Sequence, residues 1–250
     1  LAVQRYVSDK MKYHDLLVEN PDLEPHVPET VWFSKKTLQQ MIDHHVTLYL
    51  KPNSNHRGNG IYRVSAKDGT CMIQSSSNDQ IEQVPHSMLY KTLVQRMDQP
   101  RKYIVQQGLN LATLNGNPYD IRILMHKPED EWQISGWLAR VGRKDRIVTN
   151  HIRGAKPFPL EKALNSHPSI KMPEALKELT DLCHKISEIF GTHFNLRIIG
   201  LDMAVDQQGH IWFIEMNSSP MFRKMFRELG KRKMYRRALK THRYIKKKYG

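Results

Sequence analysis

The chain has 250 residues, 39% hydrophobic and 26% charged, with a formal net charge of +14. That is enough sequence for one large domain or two small ones with real cores, at the composition of an ordinary globular protein. No apolar run approaches the roughly 18 residues that span a bilayer, the first residues hold neither a signal h-region nor a cleavage site, and Cys71 and Cys183 lack the spacing of a disulfide framework or zinc site, so a reducing cytoplasmic compartment is the expectation.

In chain order, Ser8 to Glu19 reads as a short helix with Ser8 as its N-cap and Asn20-Pro21 as its stop. Lys10 falls in the first turn, where the helix dipole disfavours a cation, and taken alone it reads as a surface lysine. Pro21 to Pro28 is a proline-punctuated linker. Ser34 caps a second helix with Leu38, Met41 and Ile42 on its apolar side. Val46 to Lys51 is a strand ending in lysine, followed by a loop carrying Gly58 and Gly60 and then the strand Ile61 to Val64. A strand-end lysine beside such a loop suits a phosphate cradle, because glycine lets backbone N–H groups approach anionic oxygens; a flexible hairpin loop is the alternative. It is not a Walker A loop, since GK[ST] is absent and a strand follows.

Thr70 to Gln74 is a further strand candidate, and 85–98 carries a helical pattern through Met88, Leu89, Leu93, Val94 and Met97. Lys102 to Gln107 reads as a buried strand running into Gly108-Leu109. Tyr119 to Met125 alternates as a strand with Asp120 and Arg122 on one face, and Glu131 to Arg143 is another, carrying Arg140. The short strand Arg146 to Thr149 leads to Asn150. Pro173 to Phe190 is a helix with Leu176, Leu179, Cys183, Ile186 and Ile189 inward, ended by Gly191. The thirteen histidines are scattered, and the adjacent pair His44-His45 lacks i,i+4 spacing, so they read as structural or surface residues.

Ile199 to Pro220 reads as two apolar strands around a tight polar turn. If the turn holds an even number of residues, Asp202 faces Phe213 or Glu215, and Asp202, Glu215 and Asn217 project from one sheet face. Two carboxylates and an amide oxygen suit a hard cation such as Mg²⁺ that keeps some water and takes phosphate oxygens. The alternative is a hairpin whose acids face solvent, but the almost wholly apolar flanks favour a placed site. Beyond it, residues 223–250 hold thirteen Lys/Arg against the single acid Glu228, so 1–222 carry a net of only +2. The excess charge belongs to a helical tail. Phe222, Met225, Phe226 and Leu229 form one apolar stripe up to Gly230, and Ala238, Leu239, His242 and Ile245 a weaker one. The tail reads as a terminal helix packed on the body with solvated charges outside, in preference to an element gripping nucleic acid or another anionic polymer.

The order of these features resembles the ATP-grasp superfamily from Ser8 to Pro220. More narrowly, Ser8-Asp-Lys10, Pro28-Glu-Thr30, Leu50-Lys-Pro52, Gly58-Asn-Gly-Ile61, Gln106-Gln-Gly108, Asp120-Ile-Arg122, Thr149-Asn150 and Glu215-Met-Asn217 are similar to the YheC/YheD-type family of endospore coat-associated ATP-grasp proteins. The resemblance implies an α+β fold with nucleotide between two lobes built on antiparallel sheets. It implies that Lys10 and Lys51 contact nucleotide, that the loop around Gly58 and Gly60 covers the phosphates, and that Gln106, Gln107, Gly108 and Leu109 form the hinge at the adenine edge. Asp120 falls near a position associated with ribose. Arg122, Arg140 and Asn150 match residues near the phosphoryl-transfer site, and Asp202, Glu215 and Asn217 match metal ligands. The expected division is 1–45 helical and linker segment, 46–108 small lobe, 109–222 large lobe with the metal site, and 223–250 basic tail.

The chemistry implied by the resemblance is an ATP- and Mg²⁺-dependent ligase that activates a carboxylate as an acyl phosphate for attack by an amine. The alternative is a catalytically silent nucleotide-binding spore-coat or scaffold protein. Two departures bear on the choice: related ligases often have Gly-Gly after the asparagine where this chain has Gly154-Ala155, and the chain begins almost at the Lys10 helix, so the usual N-terminal acceptor domain is expected to be absent or removed. A protein kinase is disfavoured because H-R-D-L-x-x-x-N and D-F-G are missing. The expected partners are ATP, an unidentified carboxylate and amine acceptor, and spore-coat components, without nucleic acid or a membrane span, in the cytoplasm or associated with spores.

Overall fold

The structure, a computed structural model, describes residues 8–54, 60–77, 80–143 and 155–250. It is α+β and built on two antiparallel sheets. The strands of the first are β1 (Thr30–Trp32), β2 (Thr47–Pro52), β3 (Tyr62–Lys67), β4 (Thr70–Ser75), β5 (Ile81–Pro85) and β6 (Tyr103–Gln107), in the spatial order β1-β6-β2-β3-β4-β5. Period-two alternation divides their side chains. Leu48, Leu50, Val64, Ile73 and Val105 enter a core with Leu38, Met41 and Ile42 of one helix and Leu89 and Leu93 of another. Tyr49, Lys51 and Gln106 are left on the opposite face. Of those two helices, Lys35–His44 starts with a capping box, in which the Ser34 and Thr37 side chains each accept from the other's backbone N–H.

The helices are α1 (Lys10–Val18), α2 (Lys35–His44), α3 (Leu89–Arg96), α4 (Leu160–Leu164), α5 (Met172–Phe194), α6 (Arg223–Glu228) and α7 (Arg232–Tyr249). The second sheet has β8 (Asn117–His126), β9 (Gln133–Val141), β10 (Lys156–Phe158), β11 (Ile198–Val205) and β12 (Ile211–Asn217), ordered β10-β9-β8-β11-β12, with the short β7 (Thr113–Leu114) pairing β8. On one face, Ile121, Ile123, Leu201 and Met203 pack against Leu179, Ile186 and Phe190 of α5 and Tyr13 and Leu17 of α1. On the other, Leu124, Leu138 and Ile198 pack against Phe222, Phe226, Ala238 and Ile245 of the C-terminal helices. Gly136 makes room there, since a Cβ would lie 2.3 Å from the Phe226 ring. No described helix is long and apolar enough to cross a membrane.

Several elements differ from expectation. The N-cap of α1 is Asp9, not Ser8, and its carboxylate accepts from the Lys12 N–H. Helix α5 runs through Gly191 to Phe194 and ends at Asn195, which holds the left-handed conformation at φ 51°. Gly191 serves packing there: a Cβ would meet the Trp132 ring at 2.5 Å. Residues 8–45 are shared between the two sheets, because β1 and α2 join the first while α1 joins the core of the second. The short strands β1, β5 and β10 were not expected. The strand expected at Arg146–Thr149 lies outside the described residues.

Candidate nucleotide and metal site

The β11–β12 hairpin is closed by the Asp206 N–H donating to the His210 carbonyl at 3.0 Å. The Asp206 carboxylate accepts from the Gln208 and His210 amides and from Trp212 Nε1. The turn, Gln207–Gly209, therefore holds an odd number of residues, not the expected even number. Continued without interruption, that register would send Glu215 and Asn217 into the α5 core. A β-bulge reverses this: Met203 pairs with Phe213, the next pair is Asp202 with Glu215, and Ile214 is left between them. Asp202 thus faces Glu215, and Gly200 faces Asn217, on the side of the sheet away from α5. Re-aiming side chains is a common role of bulges near functional sites.

The register of the neighbouring strands sets the charges beside this pair. Asp202 lies opposite Arg122 on β8, and Asp120 opposite Arg140 on β9. Arg122 grips Asp202 with Nε to Oδ1 at 2.5 Å and Nη2 to Oδ2 at 2.9 Å. Arg140 holds Asp120 with two bonds, of 2.6 and 2.5 Å, and reaches Asp202 Oδ2 at 3.0 Å. All four side chains are buried. Burial pushes the Asp202 pKa up, but Arg122 and Arg140 outweigh it and hold the carboxyl below its ordinary value. Burial likewise opposes the charge on Arg140, yet Asp120 and Asp202 leave its pKa raised.

Two lysines complete the cluster. Lys10 Nζ lies 3.3 Å from Glu215 Oε1. Lys51 Nζ donates to Gln106 Oε1 at 2.5 Å, while Gln106 Nε2 donates to Thr30 Oγ1 at 3.0 Å. Burial drives the Lys51 pKa down to about 8, with Lys10 adding to the shift and Glu215 and Asp202 opposing it. These couplings bring the lysine of the first sheet to the carboxylates of the second. Asn53, which the sequence did not single out, ties the parts together. Its side chain accepts from the Met11 N–H at 2.8 Å and donates to Asp9 at 3.0 Å, and its carbonyl accepts from the Lys10 N–H. The signal available was modest, an amide just past the strand-end lysine.

In the hinge, the Gln107 and Gly108 amides donate to the Glu29 and Thr47 carbonyls. A Cβ on Gly108 would come within 2.7 Å of the Thr47 backbone oxygen, so no side chain fits. Leu109 follows, half-buried. Gly60 adopts a left-handed φ of 68° above Pro52 and Tyr103. Gly58 and Asn150 lie outside the described residues. Asp120 stands against Arg140.

The donor chemistry fits a hard cation: Asp202 and Glu215 face each other, and Asn217 shares their sheet face. The Asn217 amide nitrogen is buried without a hydrogen-bond partner. No group of three His, Cys, Asp or Glu side chains assembles among the described residues, so such a site depends on the Asn217 oxygen.

The chain is 25% identical over 219 residues to the endospore coat-associated protein YheD of Bacillus subtilis (strain 168), covering 85% of this chain and 48% of YheD. It is 24% identical over 253 residues to the endospore coat-associated protein YheC of the same organism, covering 97% of this chain and 69% of YheC. It thus spans about half the length of YheD. Among solved structures it resembles the ATP-grasp ligase PsnB, complexed with a phosphomimetic variant of its minimal precursor, Mg and ADP. The TM-score is 0.56 at 14% identity, over 95% of this chain and 59% of that one. Residues 2–245 match the family described as YheC/D like ATP-grasp, and the chain belongs to that ATP-grasp family.

Proposed function

We propose that the chain acts as an ATP- and Mg²⁺-dependent ligase that activates a carboxylate as an acyl phosphate for attack by an amine. The supporting observation is the convergence of Lys10 and Lys51 with Glu215, beside the buried Arg122–Asp202–Arg140–Asp120 network. Phosphoryl transfer asks the protein mainly for positioning and charge stabilisation, and this cluster supplies both. Lys10 and Lys51 hold phosphate oxygens, with the Gly58 and Gly60 loop covering them and residues 106–109 reading the adenine edge. Asp120 fixes the Arg140 guanidinium. Arg140 and Arg122 stabilise charge on the transferring group and on the tetrahedral centre that follows, near Asn150. Glu215, Asn217 and Asp202 would hold Mg²⁺, whose charge helps neutralise the β- and γ-phosphates.

In the reaction, the γ-phosphoryl group passes to an acceptor carboxylate oxygen and ADP departs. The amine then attacks the acyl carbon, phosphate leaves with the C–O bond electrons, and the amine loses a proton. The spore coat is the proposed setting. A second reading, a nucleotide-binding coat or scaffold protein without turnover, is favoured by one observation: both oxygens of Asp202 are already engaged by guanidinium groups. Calorimetry for Mg-ATP, paired with ADP release over a panel of amino acids, peptides and cell-wall precursors, separates the two. Acceptor-stimulated ADP release that falls at least about 100-fold in a folded Glu215→Gln variant supports the ligase. Binding without turnover on any acceptor selects the scaffold, and undiminished ADP release by the variant removes Glu215 from the site.

A further inference from the structure

Helix α7 has a second face that the packing does not use. Its inward side buries Ala238 and Ile245 against the sheet. At both ends, lysines find acids on the body: Lys231 pairs with Glu161 at 3.0 Å and Lys248 with Glu129 at 2.6 Å. Between them, Arg232, Lys233, Arg236, Arg237, Lys240 and Arg243 are all exposed, and none is ion-paired among the described residues. At 100° per residue these six fall in one arc of about 140°, and at 1.5 Å per residue they span roughly 17 Å. Neither the dipole nor side-chain pairing accounts for them. Two stand in the first turn, where the helix N-terminus disfavours cations, and α7 has no acidic residue to pair with them at i,i+3 or i,i+4.

We propose that this outer face of α7 docks the phosphodiester backbone of duplex nucleic acid without reading its sequence. Three features select that partner. The face is rich in Lys and Arg, and the large aromatic in its arc, Tyr244, is tied to the body through its hydroxyl on Glu129, whereas protein partners are held by buried aromatic and aliphatic groups and their interfaces are depleted in lysine. The apolar stripe that would enter a membrane is already spent on the sheet. A helix packed along one side presents a convex ridge about 10–12 Å across, which matches a groove about 12 Å wide lined by phosphates. None of the six is held in an ion pair among the described residues, so they meet phosphates as flexible charges, whereas reading a base edge needs an oriented guanidinium.

The test is fluorescence anisotropy of the full chain with a labelled 24-base-pair duplex of arbitrary sequence, across a salt series. Six phosphate contacts give a slope of log K against log salt of about −5, at about −0.9 per contact. Arg236→Gln/Arg237→Gln/Lys240→Gln, checked for an unchanged melting temperature, lowers affinity at least about tenfold and reduces the slope by about 2.7. The charge-preserving Arg236→Lys/Arg237→Lys variant retains both. Absence of salt-dependent binding, or an unchanged slope in the triple variant, overturns the proposal. Equal or tighter binding of poly-glutamate, or of phosphatidylserine vesicles, overturns the assignment to nucleic acid in favour of those partners.

Discussion

Lys51 is a half-buried cation, and desolvation that lowers its pKa to about 8 makes nucleotide binding depend on pH in a definite direction. The protonated amine attracts phosphate. Above pH 8 the free protein must take up a proton to bind, so Mg-ATP affinity falls by about tenfold per pH unit until the pKa of the complex is reached. Calorimetry between pH 7 and 9.5 checks this, and Lys51→Arg, which stays charged, flattens the curve. Folding responds with the opposite sign. The native pKa lies below the unfolded value, so the cost of burying this charge is full below pH 8 and relaxes as pH rises from 8 towards 10.5. Asp120 offers a separate test. Asp120→Ala leaves Arg140 without its bidentate partner and costs about 3 kcal/mol of stability by urea denaturation, as removal of one member of a buried pair does. A loss below about 1 kcal/mol would place the strength of the network in Asp202 alone. These partners were only half legible in the sequence. Alternation put Asp120 and Arg122 on one face, but the cross-strand pairings depend on register, which strands brought together from distant parts of the chain do not announce.

At the scale of elements, the hairpin shows what alternation can and cannot read. Asp202, Glu215 and Asn217 were recognisable as one face because two strands flank a polar turn. The premise of an even turn failed, and a bulge restored the same face. A bulge is a compensation between turn and ladder, so no single residue type signals it. The basic tail is the clearer case: the stripe Phe222, Met225 and Phe226 predicted a packed helix, and those residues are buried. Phe226→Ala therefore costs about 3–5 kcal/mol, measured by thermal or urea unfolding.

Across the whole molecule, the proposed site draws on both sheets. Lys51 comes from the first, Glu215 from the second, and Lys10 from a helix that belongs to the core of the second while Asn53 pins its start to the first. Mg-ATP spanning these groups stabilises the folded chain by about 2.7 kcal/mol at 100 times its Kd, a rise in Tm of roughly 5–10 °C. Differential scanning calorimetry reads that shift, and Lys51→Met reduces it. The order of motifs along the chain made this two-lobed arrangement legible. The sharing of residues 8–45 between the lobes was not, because β1 is only three residues long and adopts its strand through pairing with β6.

The bulge at Ile214 also bears on how such a chain tolerates changes of length. Deleting Ile214 would join Phe213 to Glu215 directly and leave every observed partner in place. A one-residue gain or loss between 207 and 209 shifts the strand by one position, a slip that moving or losing the spare residue can cancel. The tip of this hairpin is therefore free to drift in length, while insertion or deletion anywhere from Glu215 to Asn217 reverses the faces and has no such slack to absorb it.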